Sequence, residues 1–490
     1  VTLADPHEAA WMRQVRPPDW VNPRPAAKYN LVVVGAGTAG LVAAAGAAGL
    51  GARVALVERG LMGGDCLNFG CVPSKSLLAA AAERHHRGGE GEFGEVMARV
   101  RAVRAAIAPH DSAARFRELG VDVFFGEGKF TGPGVVEVAG ERLRFAKAVI
   151  ATGARARRLE VPGAAEARLL THESVFDLTA RPRRLAILGG GPVGCELAQA
   201  FQRLGSVVTL LISGSQVLPR EDPDAAAVVQ ARLLAEGVRL VRDVTVCGTT
   251  RLPGGALSIR LDTPAAPADL EVDEALLAIG REPNVDGLGL EAAGVAFDRR
   301  RGVVVDDSLR TTARSIFACG DVALPWKFTH TADAAARLVI QNALFGGRKR
   351  LSALTIPWCT YTDPELAQIG LTAAAAAERG LSVTAWTRSF ADVDRARTEG
   401  ATEGFVRVLT RAGTDRIVGA TIVGPHAGDL ISEIAVAMAG GLGLGRLASV
   451  IHPYPTRADA IRQLGDVYNR TRLTAGVRRG LASWLAWHRR

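Results

Sequence analysis

Aromatic residues make up only 5% of the 490 positions, and cysteine occurs six times. So few cysteines exclude a disulfide scaffold, and a reducing compartment would keep all but a special pair as thiols. No run of about 18 strongly apolar residues free of charge occurs, so no membrane-spanning helix is expected. Val1 to Asn30 lack the basic-then-apolar pattern of a secretory leader, and the expected location is cytoplasmic. The net charge is +9, but the arginines are scattered and no nucleic-acid motif accompanies them, so no nucleic-acid partner is expected. A basic surface would instead attract anionic dinucleotides or anionic metal complexes. What is abundant is glycine, at 55 residues, with alanine and valine. Small side chains of this kind let helices sit close to buried parallel strands. The length allows about three domains.

Residues 30–59 read as strand, glycine-rich turn, small-residue helix and strand, with Gly35, Gly37 and Gly40 in the turn and Glu58 closing the unit. This is a dinucleotide-binding fingerprint in its proper context: the glycines permit a tight turn and close approach of a pyrophosphate to a helix N-terminus. Gly189, Gly191 and Gly194 lie 154 residues after those three, so two dinucleotides are expected on one chain. The copies differ where Ile212 stands in the place of Glu58. Glu58 can accept from the hydroxyls of a free ribose, as in FAD, whereas isoleucine cannot. The second site therefore favours NADPH over NADH, although Ser213 and Gly214 follow rather than arginines, leaving Arg220 as the candidate phosphate partner.

Between the first unit and the next helix stand Cys66 and Cys71. In a regular helix, residues at this spacing point about 140° apart, outside disulfide geometry. The backbone there must be distorted or only beginning to be helical, for which Gly70 and Pro73 are suited. A helix N-terminus beside Lys75 would stabilise a thiolate, the reactive form. Cys195, Cys247, Cys319 and Cys359 lack this setting and read as core residues.

At this point the sequence resembles the flavoprotein disulfide reductases, among them dihydrolipoamide dehydrogenase, glutathione reductase and mercuric reductase. Besides the cysteine segment, the likeness includes Ala151-Thr152-Gly153, Ala278 to Asn284, Ile316 to Asp321, Thr362 to Ala367 and Gly419 to Gly424. It implies an α/β fold: two Rossmann-like domains for FAD and NAD(P)H, plus an α+β C-terminal dimerisation domain. The expected boundaries are 1–27 for an extended N-terminal arm, 28–152 for FAD, 153–281 for NAD(P)H, 282–352 for a central domain, 353–475 for the interface and 476–490 for a basic tail. The resemblance also implies a homodimer. Cys71 would be the charge-transfer thiolate against the flavin, Cys66 the interchange thiol, and Lys75 would pair with Glu196 near the flavin. Asp321 would bind the ribityl chain or nearby phosphate oxygens. Gly64, Thr152, Gly153, Ser213, Gly280 and Arg281 complete the expected cofactor contacts.

The departure from the disulfide-reductase pattern is at Ile451 to Asp459. Tyr454 holds the position of the family's acid-base histidine and Asp459 that of its glutamate. A phenol titrates near pH 10, which makes it a poorer proton shuttle than imidazole at neutral pH. His452 reads equally as a substitute base or as an interface histidine. The tyrosine resembles the mercuric-reductase-like branch and favours a thiophilic metal acceptor such as Hg(II), with Cys66 and Cys71 as transient ligands and no permanent metal. Residues 465–490 contain no cysteine, unlike mercuric reductases with a C-terminal pair, and the N-terminal metal-binding domain many of them carry is also expected to be missing. An organic disulfide, as a small-molecule acceptor, and a redox-sensing role are the rivals. Arginines 470, 472, 478, 479, 489 and 490 interleave with Leu481, Trp484, Leu485 and Trp487; packing on the partner subunit is preferred to contact with an anionic membrane surface.

Overall fold

Short apolar runs alternate with segments rich in alanine and glycine, and the strands they form lie in the middle of their sheets. The computed structural model describes residues 5–87 and 92–489. These form two compact units: one holds the described residues up to 213 together with 239–354, the other 214–238 with 355–489.

The first unit begins with α1 (Pro6–Val15), β1 (Tyr29–Val34), α2 (Thr38–Gly49), β2 (Val54–Glu58), α3 (Gly64–Asn68), α4 (Cys71–Arg87) and α5 (Phe93–Ile107). It continues with β3 (Val121–Phe125), β4 (Lys129–Gly132), β5 (Val135–Val138) and β6 (Glu141–Ile150). The sheet order is β3-β2-β1-β6-β5-β4, with Ile316–Ala318 also pairing with β6. Strands β3, β2, β1 and the inner half of β6 run parallel, with Leu31 opposite Val54 on one side and Lys147 on the other. In β1, Leu31, Val32 and Val33 are wholly buried, as expected for a parallel strand covered on both faces. The small-residue helix α2 admits helix Thr329–Leu344 so closely that a Cβ on Gly46 would stand 2.6 Å from Ile340 Cδ1.

A second parallel sheet orders Arg239–Val241, Val207–Leu211, Arg184–Leu188 and Glu274–Leu277. A three-stranded antiparallel sheet accompanies it. In the second unit, five antiparallel strands run in the order Pro357–Thr360, Glu365–Gly370, Ile417–Gly424, Phe405–Arg411 and Val383–Ser389. Helix Ala427–Ala439 buries Ile431 and Ile434 in the core beside this sheet. The architecture is the expected α/β arrangement with an α+β C-terminal part. Among the described residues, no helix is long and apolar enough to cross a membrane.

The N-terminal segment corrects the expectation of an extended arm. Its first four residues lie outside the described ones, but Pro6–Val15 is helical. The prolines at 17, 18, 23 and 25 all follow that helix and cannot interrupt it. Pro6 sits in the first turn, where its fixed φ suits a helix, and the Asp5 carboxylate caps the amides of His7 and Glu8. Trp11 and Val15, four residues apart, are buried in the first core, each contributing roughly 2–3 kcal/mol. At the other end, Ala475–Trp487 is a helix without a buried residue; Arg490 lies outside the described residues.

In the second unit, Glu221 is buried and accepts a 2.6 Å hydrogen bond from Trp358 Nε1. Burial pushes its carboxyl from the ordinary 4.5 up to about 7. An acid raised on folding contributes fully below its unfolded value and loses that contribution as pH rises through the folded one. Stability is therefore expected to fall between about pH 4.5 and pH 7 by about 3 kcal/mol from this group. Urea unfolding against pH checks this: Glu221→Gln should flatten the slope and raise stability above pH 7.

Candidate active site

The first glycine turn links β1 to α2 and is shaped for close backbone approach. Gly35 has φ of +105°, and a Cβ on Gly40 would stand 1.8 Å from Gly35 O. The second copy has the same geometry: Gly189 has φ of +112° and Gly194 meets Gly189 O at 1.8 Å. The helices begin after Gly37 and Gly191 without a side-chain cap, which leaves first-turn amides free for an anion, from Thr38 in the first helix and from Val193 in the second, where Pro192 has no N–H to offer. Glu58 accepts from Ala36 N at 2.7 Å and Gly60 N at 2.6 Å, which fixes its carboxylate at the turn. Ile212 is buried instead, its backbone bonded to Val241 and Val244. Ser213 and Arg220 are exposed.

The cysteine segment approaches the first turn directly. A Cβ on Gly64, which has φ of +57°, would lie 2.5 Å from Gly37 Cα. Cys66 lies in α3 and Cys71 is the first residue of α4, with Phe69 and Gly70 interrupting the helix. The backbone breaks between the cysteines, as their spacing required. Both are free thiols in this structure. The hydrogen bond from Cys66 is the main influence holding the Cys71 thiol down to about 6, and Thr329 and the Lys75 charge act the same way. Desolvation and the Glu196 carboxylate oppose them. Cys66, the hydrogen-bonded partner, is pushed up, with burial second. Lys75 Nζ reaches Glu196 Oε2 at 2.7 Å, with Glu196 largely buried. Thr329 Oγ1 lies 3.4 Å from Cys71 Sγ.

A charged cluster flanks this segment. Arg281 pairs with Asp65 and donates to Ala154 O at 2.9 Å, and it lies 3.4 Å from Asp321. His172 Nε2 stands 3.5 Å from Asp65, and burial pushes its imidazole pKa down. Arg281 Nε and His172 Nε2 are buried without a hydrogen-bond partner among the described residues. Thr152 and Asn284 exchange hydrogen bonds at 2.7 and 2.9 Å. Gly153 and Gly280 both have positive φ. The bare helix ends, the backbone cradles that a Cβ would fill and the unpartnered Arg281 and His172 nitrogens fit two bound dinucleotides, one of them next to the cysteines.

Sequence reasoning missed Asp65, His172 and Thr329 as neighbours of this site. Asp65 adjoins Cys66 and was within reach of inspection. His172 and Thr329 carry no local motif and arrive only through folding.

The C-terminal candidates lie in the second unit, where Asp459 is within charge range of both Tyr454 and His452 although each makes its hydrogen bonds to other residues. Tyr454 is 74% exposed, and its hydroxyl donates to Asp394 at 3.0 Å, which pushes its pKa up. His452 Nε2 is 2.9 Å from Glu433 Oε1, while Asp459 accepts from Arg462 and Gln463. Cys195 and Cys319 are buried, as expected, and Cys359 is half-buried. Cys247 corrects the expectation of a core residue: it is exposed, standing where the strand register shifts between Val246 and Gly248 and leaves it without a partner residue across the ladder.

Residues 29–337 match the pyridine nucleotide-disulphide oxidoreductase family, and residues 356–464 match that family's dimerisation domain. The chain is 34% identical to a dihydrolipoyl dehydrogenase of Thermus scotoductus, covering 90% of this chain and 98% of the relative. It is 35% identical to a mercuric reductase of Streptomyces lividans, covering 90% and 96%. Among solved structures, the Cu(II) complex of the HOCl-induced flavoprotein disulfide reductase RclA from Escherichia coli superposes with a TM-score of 0.81 at 29% identity. That match covers 88% of this chain and 98% of the other.

The thiolate is the form present above the pKa, so alkylation of the reduced chain should rise with pH through a midpoint of about 6. Lys75→Met is expected to move the midpoint up and Glu196→Gln to move it down. Iodoacetamide rates from pH 4.5 to 9 with mass-spectrometric assignment of the modified cysteine measure both.

Proposed function

The chain belongs to the pyridine nucleotide-disulphide oxidoreductase family, whose members use FAD and NAD(P)H, and from that premise we propose that it passes electrons from NADPH through the Cys66–Cys71 pair to a thiophilic metal ion such as Hg(II). In this reading Gly35, Gly37, Gly40, Glu58, Gly64, Thr152, Gly153 and Asp321 hold FAD, with Arg281 beside Asp321. Gly189, Gly191, Gly194, Ser213 and Gly280 hold the nicotinamide dinucleotide. Residues 28–152 and 282–352 then supply the FAD site, 153–281 the NAD(P)H site and 353–475 the contact of a homodimer. Bound FAD supplies the two-electron link between nicotinamide and disulfide.

The residues around the pair divide the work. Cys71 is the thiolate kept ready by Cys66, Thr329 and Lys75, and Glu196 fixes the Lys75 ammonium in place. Cys66 is the thiol that meets the acceptor. Two thiolates bind the metal as soft ligands; two electrons pass to M(II), leaving M(0) and the disulfide. Over a full turn, NADPH and M(II) give NADP+, a proton and M(0).

The observation that carries the metal reading is Tyr454. Its hydroxyl is held by Asp394, which pushes its pKa up, so the phenol keeps its proton at neutral pH and is a poor shuttle. An organic disulfide needs a proton for its leaving thiolate, whereas a bound metal ion has no such step. A mercuric reductase and a Cu(II)-bound disulfide reductase among the similar proteins support the same class of acceptor. One observation favours a second reading, an organic disulfide: His452 and Glu433 form a 2.9 Å pair that could carry a proton, and a dihydrolipoyl dehydrogenase is equally similar.

Steady-state assays with NADPH separate the two. Turnover of Hg(II)–thiol complexes with little on lipoamide or glutathione disulfide is expected, and the reverse pattern would remove the metal reading. Cys66→Ser or Cys71→Ser should lower turnover at least about 100-fold, and Tyr454→Phe should change metal turnover by less than about threefold. With Ile212 in place of an acid, kcat/KM should be higher for NADPH than for NADH, and Ile212→Glu should narrow the difference.

A further inference from the structure

The segment between the two cysteines is tied from behind to a helix that precedes the family match at residue 29. Asn68, two residues after Cys66, is wholly buried and every polar atom of its side chain is used. Its Oδ1 accepts from Trp11 Nε1 at 2.8 Å, and its Nδ2 donates to Met62 O at 2.9 Å and Gly64 O at 2.8 Å. Its carbonyl accepts from Arg104 Nη1 at 3.1 Å. Arg104 pairs with Glu8 of α1, and its guanidinium lies 3.9 Å over the Trp11 ring. Further along, Met62 N donates to Val15 O at 3.0 Å, and Arg16 Nη1 reaches Arg59 O and Gly60 O at 3.2 and 3.0 Å.

We propose that α1 braces the redox segment, with Trp11 and Arg104 as positioning residues that set Cys66 relative to Cys71 through Asn68. The inference rests on the reading of Cys66 and Cys71 as the redox pair. A helix of five residues such as α3 is not stable by itself, so its orientation is imposed by what it packs against. That orientation decides whether the Cys66 thiol points at Cys71 to donate. Lys75, Glu196, Asp111 and Thr329 act on the pair through charge or hydrogen bonds, and none of them lies on α1. The helix α1 therefore works by position. Trp11, Arg104 and Asn68 are all at most 2% exposed, so a lost bond leaves a buried acceptor unpaired instead of hydrated.

The test compares thiol chemistry with stability in the reduced chain. Trp11→Phe keeps the ring and removes the donor. Its alkylation midpoint is expected to move up towards ordinary thiols, lowering the iodoacetamide rate at pH 6 at least about threefold. Arg104→Lys, which keeps a cation for Glu8 and loses the planar contact, should move it the same way. Val15→Ala removes buried methyl groups from the core while keeping every hydrogen bond from α1 to the segment, so it should lower the thermal midpoint and leave the pH profile in place. The proposal is overturned if Trp11→Phe and Arg104→Lys superpose on the unaltered chain, or if Val15→Ala shifts the profile as much as they do. Failure of the underlying reading looks different: the unaltered chain would then show no thiol titrating below the ordinary range.

Discussion

The close passage of two glycines, Gly37 in the first nucleotide turn and Gly64 at the start of the cysteine segment, constrains everything around the site. No side chain separates them, and a Cβ on Gly64 would fall within 2.5 Å of Gly37 Cα. The first glycine turn and the segment that carries the thiols are thus one packed feature. Beside that contact stand the short α3, the break at Phe69 and Gly70 and the start of α4 at Cys71, where a helix N-terminus favours a thiolate.

The asymmetry between the cysteines comes first from the hydrogen bond they share, with the Lys75 charge adding to it at Cys71. Cys66 donates and is pushed up, and Cys71 accepts and is held near 6. A pair of identical chemical groups is thereby divided into a protonated partner and a ready nucleophile. Lys75 and Glu196 come from helices 121 residues apart in sequence, so the cation's position depends on the second nucleotide unit packing against α4. The duplicated fold does more than bind two nucleotides: its second helix supplies a residue to the first site.

The two nucleotide turns show how a repeated backbone can carry different chemistry. Their glycine geometry is nearly identical, since both must bring a helix end and a strand within contact distance. The copies differ at the end of the second strand, where Glu58 is the last residue of β2 and Ile212 follows Val207–Leu211. Glu58 is pinned by two amides at the turn, and Ile212 is folded into the core.

The glycine spacing, the repeat at 154 residues and the cysteine motif were legible in the sequence, because each encodes a backbone requirement met within a few residues. So was the α/β architecture, which follows from short buried strands alternating with small-residue helices. The helical character of Pro6–Val15 was obscured by the prolines that follow it, although Asp5 and the Trp11–Val15 spacing were local signals. What only tertiary structure decided was the company the motif keeps: Trp11 and Arg104 behind Asn68, Thr329 beside Cys71, and His172 with Arg281 around Asp65. Those contacts join residues as much as 258 positions apart. Local sequence sets which conformations a segment can adopt, while burial and hydrogen-bond satisfaction between distant segments set which side chains meet.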